Sequence, residues 1–409
     1  MIDLPSWLLI FPVLGILIFI HELGHFVTAK WFGVTVKEFG FGVPPRIFGV
    51  NYKGTIYSSN LIPLGGFVKL LGEEDPDGPD SFATQASWKR VTILVAGPIM
   101  NLILPVIIFS ILFMLPHDKL VHSEVMVNSV APNSPAQQAG LKYGDTILAI
   151  NDEQIDVPDD LVKSIGDSKG NAIRLMVRRS NLITGFNSTP ELAVTEIIEL
   201  VPRDEPPELK VVAIVVDPKT EISIDDAIKY NPDLEIGDTL IQGAIGVTIG
   251  IVNPIIRKES ESFFTSIPLS LDMIKNIFES TKDGVTLGIK QRSDPGFAGP
   301  IGIAQITGQV VDEFGFASVF QIAGLLSVSL GILNLLPIPA LDGGRLLFVL
   351  IEIARGGKKL PPTLEGKTHL IGFVLLLALI LVISYRDVLK ILSGDSILCL
   401  LYTSPSPRD

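Results

Sequence analysis

The chain has 409 residues, 47% of them hydrophobic and 19% charged, with a formal net charge of −12 and a mean hydropathy of +0.46. Soluble domains carry about 25% charged residues, so the composition excludes a disordered chain and points to a membrane protein with a soluble part. The acidic balance speaks against nucleic acid as a partner, because phosphate binding needs clustered Lys and Arg. The one cysteine, Cys399, rules out an intrachain disulfide and a cysteine-built zinc site, which leaves His and carboxylates as ligands for a transition metal.

A helix that crosses a bilayer needs about 20 apolar residues. The first such stretch, residues 7–29, is interrupted by His21, Glu22 and His25. It has no basic segment before it and no small-residue cleavage site after it, so it reads as a retained span rather than a signal peptide. His21-Glu22-Leu23-Gly24-His25 is an HExxH pattern. On a helix, positions i and i+4 share a face, so both imidazoles can reach one zinc ion, and Glu22 stands where it can take a proton from water. Two His and a Glu are costly inside an apolar span and mark function there. The bland alternative is a polar cluster that holds helices together.

The second span, residues 91–115, carries no charge at all. Beyond it, residues 121–205 read as a soluble α+β domain, with β-branched runs at 124–130, 146–150, 172–178 and 195–200 separated by Gly, Pro, Asn and Asp. In its middle, Ser134 caps a short helix with Pro135 at the first position, Gly140 ends it, and Gly144-Asp145 turn the chain into the strand TILAIN. This stretch resembles a PDZ domain of the bacterial, protease-associated kind, which receives peptide C-termini or extended segments along a strand edge. A small β-domain without a ligand is the competing view. LEIGDTLIQ (234–242) echoes LKYGDTILA (141–149), so residues 206–260 read either as an extension of this domain or as a degenerate second copy. Phe263, Ile267, Leu271, Ile274 and Phe278 form a helical stripe.

The third and fourth spans are expected at 316–336 and 369–385, the fourth being the shortest. Lys and Arg gather between spans one and two (Lys37, Arg46, Lys53, Lys69, Lys89, Arg90) and between spans three and four (Arg345, Arg355, Lys358, Lys359, Lys367). Both loops are therefore expected in the cytoplasm, with the 116–260 segment outside.

Zinc needs a third protein ligand, with one position left for water. The metzincin pattern would need Gly at 28 and His at 31, where Thr28 and Trp31 stand. The candidates are Asp342, His369, His117, His122 and scattered carboxylates. Asp342 stands out within NLLPIPALDGG (334–344), where two prolines break the helix and the exposed carbonyls need protein or a water cavity to satisfy them. The expected topology brings Asp342 and His25 to the same, cytoplasmic, side. His117 and His122 fall at the far end of span two, and His369 reads as an interfacial residue.

HELGH, AGPIMN (96–101), FAGPIGIAQ (297–305) and NLLPIPALDGG, in this order with a PDZ-like domain between the middle spans, resemble the site-2 protease family of intramembrane zinc metalloproteases, close to its bacterial regulator-of-sigma-E type. The resemblance implies an α-helical polytopic membrane protein of about four transmembrane helices with a membrane-associated β-hairpin and an inserted α+β, PDZ-like domain. Its parts would be residues 1–118, 121–205, 206–260 and 261–395. It implies that His21, His25 and Asp342 bind zinc, that Glu22 is the general base, and that Asn334 lies near the substrate. It also implies that LIPLGGFVKLLGE (61–73) is a strand that pairs with an unwound substrate, with Gly65, Gly66 and Phe67 in contact with it. Gly97 and Asn101 match a helix-packing motif and receive no catalytic role. The implied partners are transmembrane protein substrates and the lipid bilayer of the inner membrane. Residues 396–409 fit no element of the family and read as a tail foreign to it. Two other classes stay open: a catalytically silent scaffold that binds peptides, and a zinc transporter with the same ligands along a path. Intact His21, Glu22, His25 and Asp342 argue against the first, and the lack of an internal repeat among the spans argues against the second.

Overall fold

In the computed structural model, residues 5–73, 78–179, 194–218, 220–230, 234–291 and 298–393 are described. Helix α1 (Ile10–Trp31), continuous with a 3-10 turn at Ser6–Leu9, carries the HExxH pattern in its second half. After it, β1 (Val36–Tyr52) and β2 (Thr55–Leu70) pair antiparallel twice over. Tyr52 faces Thr55 and Arg46 faces Asn60 in one antiparallel pairing and Glu38 to Phe41 face Lys69 to Gly66 in the other, while on their second side Glu38 to Phe41 face Ile56 to Ser59 with the two stretches running in the same direction. Four short strands therefore lie side by side, with residues 46–52 along one border and 66–70 along the other. Ile47, Phe48, Val50 and Leu61 are exposed on this sheet.

Helix α2 (Ser87–Met114) contains Pro98 and Pro105. Proline has no N–H for the carbonyl four residues back, so the carbonyls of Leu94 and Asn101 lose their helical donors. The second is taken up from outside the helix: Ser327 Oγ donates to the Asn101 carbonyl at 2.7 Å.

Residues 116–260 form a unit of their own. Its strands and helices are β3 (His117–Val130), α3 (Pro135–Gln138), β4 (Thr146–Ile150), β5 (Glu153–Gln154), α4 (Pro158–Asp167), β6 (Ile173–Arg178), β7 (Thr195–Leu200), β8 (Glu208–Val212), β9 (Glu221–Ser223), α5 (Ile224–Tyr230), β10 (Thr239–Ile241) and β11 (Val247–Glu259). The main sheet runs β11-β3-β4-β6-β7, with β5 alongside β4. Val125, Val127, Ile147, Leu161, Leu175 and Val177 are among the residues of its core. Ser134 caps α3 as its sequence suggests, accepting from Gln137 N at 3.1 Å, and Gly140 and Gly144 take positive φ.

LEIGDTLIQ does not join that sheet. Its strand β10 lies in a three-stranded sheet, β10-β8-β9, over a separate core of Leu209, Val211, Ile222, Ala227 and Leu240. The two similar segments nevertheless make the same turn. Gly144 N–H donates to Val127 O and Val127 N–H to Asp145 O, both at 2.8 Å; Gly237 N–H donates to Val211 O and Val211 N–H to Asp238 O, again at 2.8 Å. In each turn the Asp carboxylate accepts from the backbone three residues earlier, Lys142 or Glu235.

The chain then forms α6 (Phe263–Gln291), which contains the helical stripe, α7 (Pro300–Phe314), α8 (Ser318–Leu335), α9 (Asp342–Ala354) and α10 (Pro362–Ser393). Among the described residues, four helices are long and apolar enough to cross a membrane: Ser6–Trp31, Ser87–Met114, Ser318–Leu335 and Thr363–Ser393. The last is 31 residues long, the longest of the four rather than the shortest, because the polar residues flanking its apolar run continue the helix. The start of α7 is fixed by α10, where Asp387 accepts from Gly302 N–H at 2.8 Å. The tail at 396–409 lies outside the described residues.

Candidate metal centre

Helix α1 crosses α2 at close range. A Cβ on Gly24 would stand 2.7 Å from the Ala96 carbonyl carbon and closer still to its oxygen, so only glycine allows this approach. The crossing brings His21, three residues before Gly24, and His25, the residue after it, against the next residue of α2, Gly97. Both imidazoles are buried, at 7% and 6% exposure. His25 Nδ1 lies 2.8 Å from the Ile93 carbonyl of α2, one residue from the carbonyl freed by Pro98. A ring that donates from Nδ1 to a carbonyl keeps Nε2 as its lone-pair nitrogen.

Asp342 enters from the other end of the chain, as the first residue of α9. The turn before it, 336–341, folds back over Gly343 and Gly344. A Cβ on Gly343 would meet the backbone of Leu335 and Leu336, and one on Gly344 that of Ile338, which explains the paired glycines after the aspartate. Ala340 is held at φ +80°, and its N–H donates to His369 Nδ1 at 3.0 Å.

Asp342 Oδ2 lies 2.8 Å from His21 Nε2 and 3.4 Å from His25 Nε2, and the two nitrogens are 3.1 Å apart. Ligands about 2.05 Å from a tetrahedral zinc ion stand about 3.3 Å from each other, so the three atoms are spaced as such a site requires, slightly contracted. Among the described residues this is the one group of three metal-binding side chains that converges. Burial would push the Asp342 carboxyl up, but hydrogen bonds and charge from the two imidazoles outweigh it and hold it well below the usual carboxylate range. It is therefore an anion, the form that binds a cation. The donor set, two imidazoles and one carboxylate with Gly97 leaving the space beside them clear, fits zinc.

Of the other candidates, His369 supports the turn before Asp342 from α10. His122 pairs with Asp156 at 3.0 Å within the 116–260 unit, and His117 opens β3 of that unit.

Glu22 is on the same helix as the imidazoles, and its Oε2 accepts the Val68 N–H of β2 at 3.0 Å. Gly65, Gly66 and Phe67 precede Val68 on that border strand. Gly65 packs on Ile18 and Gly66 on Phe19 of α1, so the two glycines serve the approach of the strand to the helix. Asn334, near the end of α8, reaches the far side of the His21 ring, with Nδ2 3.5 Å from Nδ1; Asn101 of α2 stands at 3.4 Å from the same nitrogen. By sequence Gly97 and Asn101 match a helix-packing motif, and the structure places both beside the imidazoles. Their i, i+4 spacing puts both on one face of α2, and that face is turned to the HExxH helix. Val68 acts through its backbone, which no residue type announces.

The chain is similar to known proteins along most of its length. The model of peptidase family M50 matches residues 9–379. Proteins provisionally named as zinc metalloproteases are similar along nearly their whole length. One from Clostridium acetobutylicum is 34% identical over 375 residues, covering 91% of this chain and 94% of its own. One from Clostridium perfringens is 32% identical over 374 residues, covering 91% and 95%. One from Rhizobium meliloti is 30% identical over 403 residues, covering 94% and 96%. The chain belongs to peptidase family M50, the zinc-dependent endopeptidases of membranes.

Proposed function

We propose that the enzyme cleaves peptide bonds within or near the transmembrane segments of membrane proteins, with His21, His25 and Asp342 as zinc ligands and Glu22 as general base. The observation that carries this reading is the convergence of the three ligand atoms beside Glu22 on an apolar helix long enough to span a bilayer. His21, His25 and Asp342 would hold a zinc ion, whose Lewis acidity would serve to polarise a carbonyl oxygen and to bring the pKa of water down to about 7. Glu22, oriented through Oε2 on Val68 N–H, takes up a proton on its other oxygen and returns it to the leaving amine. The Asn334 amide, half-buried beside His21, faces the substrate backbone.

A transmembrane substrate arrives as a helix and must unwind before its carbonyls are accessible. Strand pairing along residues 61–71, with Gly65, Gly66 and Phe67 in contact with the substrate, replaces the lost helical hydrogen bonds with sheet bonds. That border strand is next to Glu22, and the exposed apolar side chains of the sheet suit contact with lipid. The Lys and Arg distribution supports an inner-membrane protein with the centre near the cytoplasmic side and the 116–260 unit outside. There the PDZ-like domain of residues 121–205 engages peptide C-termini or extended segments and admits substrates already trimmed on that side.

The test is cleavage of a panel of single-span membrane proteins by the purified enzyme, wild type against Glu22→Gln, with bound zinc measured in both. The expected result is cleavage by the wild type alone and equal zinc in the two proteins. Equal cleavage by both removes Glu22 as the base. Zinc in both with cleavage by neither favours the silent scaffold.

A further inference from the structure

The far nitrogen of the His21 ring poses a hydrogen-bonding problem. If Nε2 faces a metal, the neutral imidazole carries its hydrogen on Nδ1, which is then a donor and needs an acceptor. Two side-chain amides reach it, Asn101 at 3.4 Å and Asn334 at 3.5 Å, both through Nδ2, itself a donor. Asn101 is 1% exposed, and its Oδ1 is buried without a hydrogen-bond partner. Leaving a buried acceptor unpaired costs about 1–3 kcal/mol. The two ends of an amide have nearly the same shape, so a half-turn about χ2 puts Oδ1 where Nδ2 stands and pairs the orphaned acceptor with the unpaired ring donor.

We infer that Asn101 is a positioning residue of the metal centre: its amide oxygen accepts the Nδ1 hydrogen of His21, fixing the tautomer and orientation that turn Nε2 to zinc. The inference rests on the reading of His21 as a zinc ligand. It divides the work of the two amides. Asn101, sealed between α1, α2 and α8, holds the ring, and the half-buried Asn334 is left to the substrate. It also explains the anchoring of Asn101 itself. Its carbonyl, freed by Pro105, is held by Ser327 of α8, so the residue is fixed through its backbone while its side chain reaches the ring.

The experiment measures zinc affinity of the full-length enzyme in detergent by competition with a fluorescent chelator. His21→Ala is run first, because unchanged affinity there removes the ligand reading and with it the premise. With that loss in hand, Asn101→Leu is expected to weaken zinc 10–100-fold, the range for partners of metal-bound histidines. Asn101→Asp, an obligate acceptor, should hold zinc at least as tightly as the wild type. Wild-type affinity in Asn101→Leu, or an equal loss in the folded Asp variant, overturns the inference. Should the Asp variant not fold, hydrogen exchange at the ring decides. The Nδ1 hydrogen of His21, followed in zinc-loaded, 15N-histidine-labelled protein, should exchange faster in Asn101→Leu than in the wild type; equal rates overturn the inference.

Discussion

Gly97 of α2 faces His25 of α1 so closely that no side chain fits between them. A Cβ there would overlap His25 Nε2 and come within 2.8 Å of His21 Nε2. The obstruction is to the two ligand atoms, since the nearest contacts are imidazole nitrogens rather than backbone. Gly97→Ala should therefore weaken zinc binding by about 10-fold or more through displaced imidazoles, with a modest loss of thermal stability. Gly24→Ala offers the contrast: its Cβ meets the Ala96 backbone, so the helices themselves must part and the protein should lose stability before metal. Zinc content and thermal unfolding of the two variants separate these outcomes; a zinc-replete Gly97→Ala enzyme would show that the imidazoles have room to spare.

The hydrogen bond from Val68 N–H to Glu22 means that this amide points away from β1 and is not part of the ladder. Proline is tolerated at such outward positions of a border strand. Val68→Pro should then keep the sheet and the zinc, while the base loses the donor that orients it. General base catalysis is worth about 10²–10⁴-fold, and a mis-aimed carboxylate forfeits part of that, so turnover should fall by about 10-fold or more at unchanged zinc content. Phe67→Pro strikes the neighbouring position, opposite Gly40 of β1, where the alternation of strand amides turns the N–H toward β1, and should disturb the sheet instead. Cleavage rate and zinc stoichiometry, measured side by side, give the answer.

His369 was a candidate ligand on residue type alone, and its position beside the Ala340 turn gives it another part. It accepts the Ala340 N–H at 3.0 Å, supporting a residue whose φ of +80° is unfavourable for a side chain. His369→Ala should retain stoichiometric zinc and lose about 1 kcal/mol of stability. His21→Ala, His25→Ala and Asp342→Ala should each lose the metal. Metal analysis of the four proteins distinguishes a support from a ligand.

The HExxH face was legible because its chemistry and its geometry are both local: an i, i+4 pair within one helix requires no knowledge of the rest of the chain. Asp342 was legible for a different reason: the two prolines of PIPALDGG break the helix, and the carbonyls they expose need protein or a water cavity to satisfy them. The short helix after Ser134 and the strands at 146–150 and 195–200 follow from capping and turn residues in the same way. What stayed hidden depends on contacts between distant segments. The double pairing of β1 with β2 comes from a register that alternation alone does not specify. The freed Asn101 carbonyl becomes meaningful only when Ser327 reaches it, more than 200 residues on. The length of α10 was underestimated because the apolar run measures the width of a bilayer, whereas the helix continues into polar residues at both ends.

Arg90 and Glu352 link α2 to α9 through a buried ion pair, Nη1 to Oε2 at 2.7 Å, with side chains 8% and 9% exposed. Glu352 is on the same helix as Asp342, ten residues or about 15 Å along it, so the pair fixes the far end of the element that delivers the carboxylate to the metal centre. Removing one partner leaves an uncompensated buried charge, which costs about 3–5 kcal/mol. Arg90→Met and Glu352→Leu should each show that loss in denaturant unfolding of the purified protein. Because α9 then loses its anchor, zinc should also bind more weakly although no ligand has been touched. The double variant Arg90→Met/Glu352→Leu removes both charges and replaces them with apolar side chains, so most of the stability should return. Zinc affinity in the double variant then isolates the role of the pair. Recovery of both stability and affinity means that α9 needs only a packed contact at this end. Recovered stability with weak zinc means that the directional hydrogen bond from Arg90 sets the position of Asp342.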